Sequence, residues 1–192
     1  MTQAPAQRHG PFDLVGLGEC MVEFWADEPL GSAERLHRAY GGDVLNALVT
    51  AARLGSRVGF MTKVGDDPFG PGLLEAWRSE GVDTAHAPLV GGENGVYFIS
   101  LRAGGEREFT YRRTGSAAST LAPDDLDASY LGSSRTLLVS GITQAISEGA
   151  GAATLEATRL AKRRGVRVTY DPNYRPRLWR AQGGEGGGEG GV

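Results

Sequence analysis

Residues 41–68 read GGDVLNALVTAARLGSRVGFMTKVGDDP, and the fold is decided in this stretch. Val44, Leu48, Ala51 and Ala52 recur at the three-and-four spacing that gathers side chains on one helix face. Gly55 stands where such a helix would stop. Val58 to Val64 follows as a buried strand, closed by the turn-forming Gly65-Asp66-Asp67-Pro68.

The same alternation runs outward on both sides. Phe12 to Leu17 is a short apolar strand signal that ends at Gly18-Glu19. Downstream, Leu73, Leu74 and Trp77 mark a second amphipathic helix ending at Gly81. Thr136 to Val139 reads as strand, Ala153, Ala157 and Leu160 as a third helix closed by Gly165, and Val166 to Tyr170 as strand again. This order predicts an α/β fold, a doubly wound, mostly parallel sheet with right-handed crossovers. Ligands of such sheets sit beyond the carboxyl ends of the strands, which singles out Glu19, Ser140-Gly141 and residues 171–175.

Two regions interrupt the alternation. Met21 to Trp25 with Arg35 to Tyr40, and Gly95 to Leu101 with Glu106 to Arg113, each read as a hairpin, the second turning through Arg102-Ala103-Gly104-Gly105. Together they predict a small antiparallel β lid over about residues 20–40 and 95–113. Met1 to Pro11 is polar and is expected to be disordered. The segment 181–192, which ends GGEGGGEGGV, is expected to be a flexible tail with nothing to bury.

The net charge of −3 offers no electrostatic reason for nucleic-acid binding. No window has the apolar length of a membrane span, and the N-terminus has no signal-peptide core, so a cytoplasmic protein is expected. The single cysteine, Cys20, excludes an internal disulfide and reads as a small core residue. Lys162-Arg163-Arg164 falls at a helix end, where cations favour the dipole.

Three motifs carry candidate chemistry. Gly41-Gly42-Asp43 opens the first helix, where paired glycines allow close approach to the backbone and free amides suit polar or anionic groups. Asn46 lies one turn further; the plain alternative is a turn with Asp43 as N-cap. Tyr111 and Arg113 share one face of a strand, a phenol beside a guanidinium, and Tyr97 on the partner strand either joins them or packs across. The plain alternative is a charged edge strand. Asp171-Pro172-Asn173-Tyr174-Arg175-Pro176-Arg177-Leu178-Trp179 holds Arg175 in a proline-stiffened loop fit for an anion. Gly16-Leu17-Gly18 lacks the third glycine of a dinucleotide fingerprint, and no P-loop is present. Gly149-Ala150-Gly151-Ala152 mimics a glycine-rich anion loop but has no carboxylate to act as base.

In order and spacing these segments resemble the ribokinase-like (PfkB-type) carbohydrate kinases. The resemblance runs from about Asp13 to Arg180, so 12–180 reads as a partial domain of this fold. Gly41-Gly42 and Gly65-Asp66-Asp67 mark the wide family. The stretches GECMVE (18–23) and DPNYRPRLW (171–179) point to its ketodeoxygluconate kinase branch.

The resemblance implies ATP- and Mg2+-dependent phosphorylation of 2-keto-3-deoxygluconate or a related sugar acid. It also implies a lid that can form a homodimer contact. Its substrate contacts fall on Glu19, Gly41, Gly42, Asn46, Tyr97, Tyr111, Arg113 and Arg175. Family members carry a Gly-Ala-Gly-Asp segment in a second half, whose Asp is the general base. These 192 residues contain none, so base, nucleotide site and the C-terminal part of the fold are expected beyond them. No protein ligand for a metal and no kinase activity are expected of these residues alone. Fructose, ribose or nucleoside kinases of the same family, and a non-catalytic sugar-acid binding protein, are the alternatives.

Overall fold

The structure, a computed structural model, describes residues 11–101 and 105–182. In chain order its strands are β1 (Phe12–Leu17), β2 (Met21–Trp25), β3 (His37–Gly41), β4 (Val58–Met61), β5 (Val64–Gly65) and β6 (Val82–Asp83). They continue as β7 (Leu89–Val90), β8 (Gly95–Leu101), β9 (Arg107–Arg112), β10 (Ser134–Ser140) and β11 (Arg167–Asp171). The helices are α1 (Asp43–Arg53), α2 (Gly70–Ser79), α3 (Ala128–Gly132), α4 (Gly141–Ala145), α5 (Glu148–Arg163) and α6 (Pro176–Gln182).

The main sheet is wholly parallel, in the order β11-β10-β1-β4-β6. Each sheet face is covered, as a parallel sheet requires. On one face α1 and α2 bring Val44, Leu48, Leu73 and Trp77 onto Val58, Phe60 and Val82. On the other, α3 and α5 bring Leu131, Ala157 and Ala161 onto Val15, Leu17, Leu137 and Val139. Gly16 is where α1 crosses β1, since a Cβ there would run into Val44 and Leu48. The three expected helix stops, Gly55, Gly81 and Gly165, all take positive φ.

The predicted run Val58 to Val64 is two strands, not one. The Thr62 amide donates to the His86 carbonyl at 3.1 Å, and the Lys63 ammonium reaches the Thr120 carbonyl and the Asp125 carboxylate. The chain is thereby turned aside, and β5 pairs with β7 in a separate two-stranded sheet.

The lid is a four-stranded sheet in the order β3-β2-β8-β9. Both predicted hairpins form, β2 against β3 and β8 against β9. The lid is mixed, however, and not antiparallel, because β2 and β8 run side by side in parallel. The pairing sets Met21 beside Gly95 where each strand begins, so the two hairpins enter the lid at the same end and meet through their first strands. Of the hairpin turn read at 102–105, residues 102–104 lie outside the described residues, as do 1–10 and 183–192. Ala181 and Gln182 belong to α6, so the segment read as a tail from 181 begins with helix.

The Gly149–Ala152 decoy lies within the first turn of α5, capped by the Ser147 hydroxyl, which accepts from the Ala150 amide at 3.0 Å.

Candidate functional site

The chain leaves β1 toward β4 on one side and later returns to β10 on the other, so β1 and β10 flank the point where the winding reverses. Glu19 lies just past the carboxyl end of β1, and Ile142 just past that of β10. Both line an open cleft of about 1230 Å³ between the sheet and the lid.

All eight residues read as substrate contacts line this one cleft: Glu19, Gly41, Gly42 and Asn46 from the body, Tyr97, Tyr111 and Arg113 from the lid side, and Arg175 from the loop after β11. Gly42 is the N-cap of α1, and Asp43 is the first helical residue rather than the cap. The Asp43 Oδ1 accepts from the next amide, Val44, at 2.8 Å. At Gly42 the chain passes so close to the Glu19 carbonyl that a side chain has no room.

Glu19 and Arg113 form the floor. An Arg113 Nη1 hydrogen donates to Glu19 Oε1, and the Glu19 side chain is 2% exposed. Glu19 Oε2 has no hydrogen-bond partner among the described residues. Burial pushes the Glu19 carboxyl up to about 7, because lost solvation outweighs the adjacent guanidinium, and the Asp43 carboxylate adds to the rise. The Arg113 guanidinium also lies 4.6 Å over the Tyr111 ring, a cation–π contact.

Tyr97 both joins this face and packs across it. It is opposite Tyr111 in the strand register, with ring centroids 5.7 Å apart. Its hydroxyl donates to Glu23 Oε2, and burial followed by that carboxylate raises its pKa. Tyr97 therefore offers the cleft ring surface while its donor is committed. β9 is also an edge strand, so the plain reading of that segment holds alongside.

Arg175 is exposed and precedes α6, whose first turn begins at Pro176, so the stretch to Trp179 is loop and then helix. The Asn173 side-chain amide donates to Asp43 Oδ2 at 3.3 Å and holds this loop against the start of α1. Asn173 takes φ 29°, the left-handed region that Asn tolerates better than most residues. Three further arginines line the cleft, Arg112, Arg177 and Arg180. None of the three is among the substrate contacts expected from the sequence. The three-residue spacing of Arg177 and Arg180 is a helical signal, legible only once a helix from Pro176 is recognised.

The Gly-Asp-Asp segment is a bracket and not part of the cleft wall. Asp67 takes amide donors from Phe69, Gly70 and Asn94. Burial would raise its pKa, but these donors outweigh it and hold the carboxyl below the ordinary range. Cys20 is buried in the core beneath Glu19, with burial and the Glu19 charge raising its thiol pKa. Among the described residues no group of three His, Cys, Asp or Glu side chains is placed to hold a metal ion, and no helix is long and apolar enough to cross a membrane.

Comparison with known proteins identifies the family. Residues 12–184 match the family described as pfkB family carbohydrate kinase. A 2-dehydro-3-deoxygluconokinase of Thermoproteus tenax is 36% identical over 171 residues, 86% of this chain and 51% of that protein. Fructokinase-1 of Zea mays is 34% identical over 170 residues, 86% of this chain and 52% of that protein. The crystal structure of a PfkB protein from Polaromonas superposes with a TM-score of 0.83 at 34% identity, covering 88% of this chain and 58% of that one. The chain spans about half the length of the curated relatives it matches.

Proposed function

The chain belongs to the pfkB family of carbohydrate kinases, and from that premise we propose that its cleft receives a sugar acid of the 2-keto-3-deoxygluconate kind, for phosphorylation by ATP. The observation that carries this reading is the cleft's charge. Arg175, Arg177 and Arg180 line it beside the Glu19-paired Arg113, and Arg175 has no anionic partner among the described residues. An unpaired guanidinium suits a carboxylate; a neutral sugar does not require one. Gly42 supplies backbone room and Asn46 a polar group for hydroxyls, with Glu19 close by. A relative named 2-dehydro-3-deoxygluconokinase supports the same substrate class.

Fructose is the second reading, favoured by the comparable identity to a fructokinase. ATP and Mg2+ enter through the family alone. These residues contain no Gly-Ala-Gly-Asp segment, so the 192-residue chain is proposed to bind sugar without transferring phosphate.

Calorimetric titration of the 192-residue chain with 2-keto-3-deoxygluconate, fructose and ribose tests the substrate class. Preference for the sugar acid by tenfold or more is expected. Equal or tighter fructose binding moves the assignment to the second reading, and ATP-dependent phosphorylation by this chain alone overturns the proposal that it binds without transferring phosphate.

A further inference from the structure

Glu19 is placed oddly for a residue whose task is to hold a sugar hydroxyl. Its carboxyl is almost wholly buried, one oxygen is spent on Arg113, and the other, Oε2, meets no donor among the described residues. An ionised carboxylate with an orphaned oxygen in a buried site is costly, whereas the protonated acid has a hydrogen to give. Arg113 is held by the same contact. While Glu19 is ionised, the guanidinium faces the cleft with its charge largely cancelled.

We propose that Glu19 is the specificity-determining residue of the cleft: an incoming carboxylate takes over Arg113, and Glu19 gains a proton as it does so, so that a sugar acid binds together with one proton and a neutral sugar binds without.

The proton comes from solvent and goes to the Glu19 carboxyl. No other bond is made or broken. The resulting acid is neutral, so the buried carboxyl no longer carries an uncompensated charge once Arg113 turns to the ligand. Every charged group facing Glu19 bears on this exchange. From the end of β9 comes the Arg113 guanidinium, and from α1 the Asp43 carboxylate, itself tied to Asn173; on its own segment the Cys20 thiol is buried in the core. The helix α4 side presents Thr143, whose hydroxyl is engaged with Ser140 and the Leu17 carbonyl. Asp43 acts in the same direction as the ligand, its negative charge favouring the protonated acid. The near-neutral value of the Glu19 carboxyl places the exchange in an accessible range.

This inference rests on the reading that the cleft binds sugars and sugar acids, and the experiment separates the two. The 192-residue chain is titrated with 2-keto-3-deoxygluconate and with fructose from pH 6 to 9, in buffer pairs of unlike ionisation heat. Sugar-acid binding should take up close to one proton above pH 7 and weaken about tenfold per pH unit there. Fructose binding should show neither effect. In Glu19→Gln, which cannot titrate, sugar-acid affinity should become flat across the range. Sugar-acid binding by the unaltered chain with no proton uptake and no pH slope overturns the role of Glu19 and leaves the substrate reading standing. The same slope for fructose also overturns it. Failure of both ligands to bind at any pH removes the substrate reading and this inference with it.

Discussion

Asn94 meets both carboxylate oxygens of Asp67, its backbone amide donating to Oδ2 at 2.8 Å and its side-chain amide to Oδ1 at 2.7 Å. The same side chain accepts from the Gly65 amide at 2.9 Å and donates to the Gly65 carbonyl at 3.1 Å. Asn94 immediately precedes β8, so this bracket ties the first strand of the second lid hairpin to the turn before α2. The lid is anchored here by hydrogen bonds to a charge, which exceed neutral ones in strength.

Asp67→Ala is therefore expected to lower stability by about 2–3 kcal/mol. Because the Asp67 carboxyl is held below its ordinary value, its contribution is present above the unfolded carboxylate range and is lost as pH falls through the folded value. Denaturant unfolding at pH 7 and pH 3 should show the variant's deficit shrinking at the lower pH.

Gly42→Ala is expected to cost about 1–3 kcal/mol, since the new methyl meets the Glu19 carbonyl, a backbone atom that cannot swing away. The backbone there is extended, so the cost is steric and not conformational. Thermal melts give the loss, and an unchanged melt would mean that the helix start can retreat from β1.

Glu19 works in the opposite pH sense to Asp67. Its folded value lies above its unfolded one, so its contribution is complete below pH 4.5 and lost as pH rises to about 7. Stability should fall across that window by roughly 3 kcal/mol, from the size of the shift. Glu19→Gln should flatten this part of the profile. Denaturation midpoints at pH 5 and pH 8 for both proteins provide the check.

Arg175→Ala should leave the melt unchanged, because the side chain is exposed and no ion pair among the described residues holds it. Loss of a charge-assisted bond to a carboxylate predicts about tenfold weaker sugar-acid binding. Fructose affinity should not change; an equal loss for both sugars would place Arg175 on a hydroxyl instead.

Much of the architecture was legible in the residues because it rests on periodicity and on local stops. Val44, Leu48 and the stop at Gly55 define α1, and Tyr111 and Arg113 share a face because side chains alternate along a strand. The break after Met61 was not legible. It is made by partners distant in sequence, His86, Thr120 and Asp125, and VGFMTKV alone does not announce them. The parallel pairing of β2 with β8 escaped for the same reason: each hairpin is local, but how the two hairpins lie together depends on where both leave the body. Arg177 and Arg180 were missed because the proline pair read as loop, whereas Pro176 is a well-tolerated first residue of a helix.

The amino-acid sequence by itself determined the parallel α/β body, the two lid hairpins and the kinds of side chain at the strand ends. Those follow from spacing and turn chemistry, which act over a few residues. Only the tertiary structure decided that Glu19 and Arg113, 94 positions apart, share one buried contact, and that Glu19 has one oxygen left over. Solvation and charge at a point in space depend on every segment that packs there, and no short stretch of chain encodes that sum.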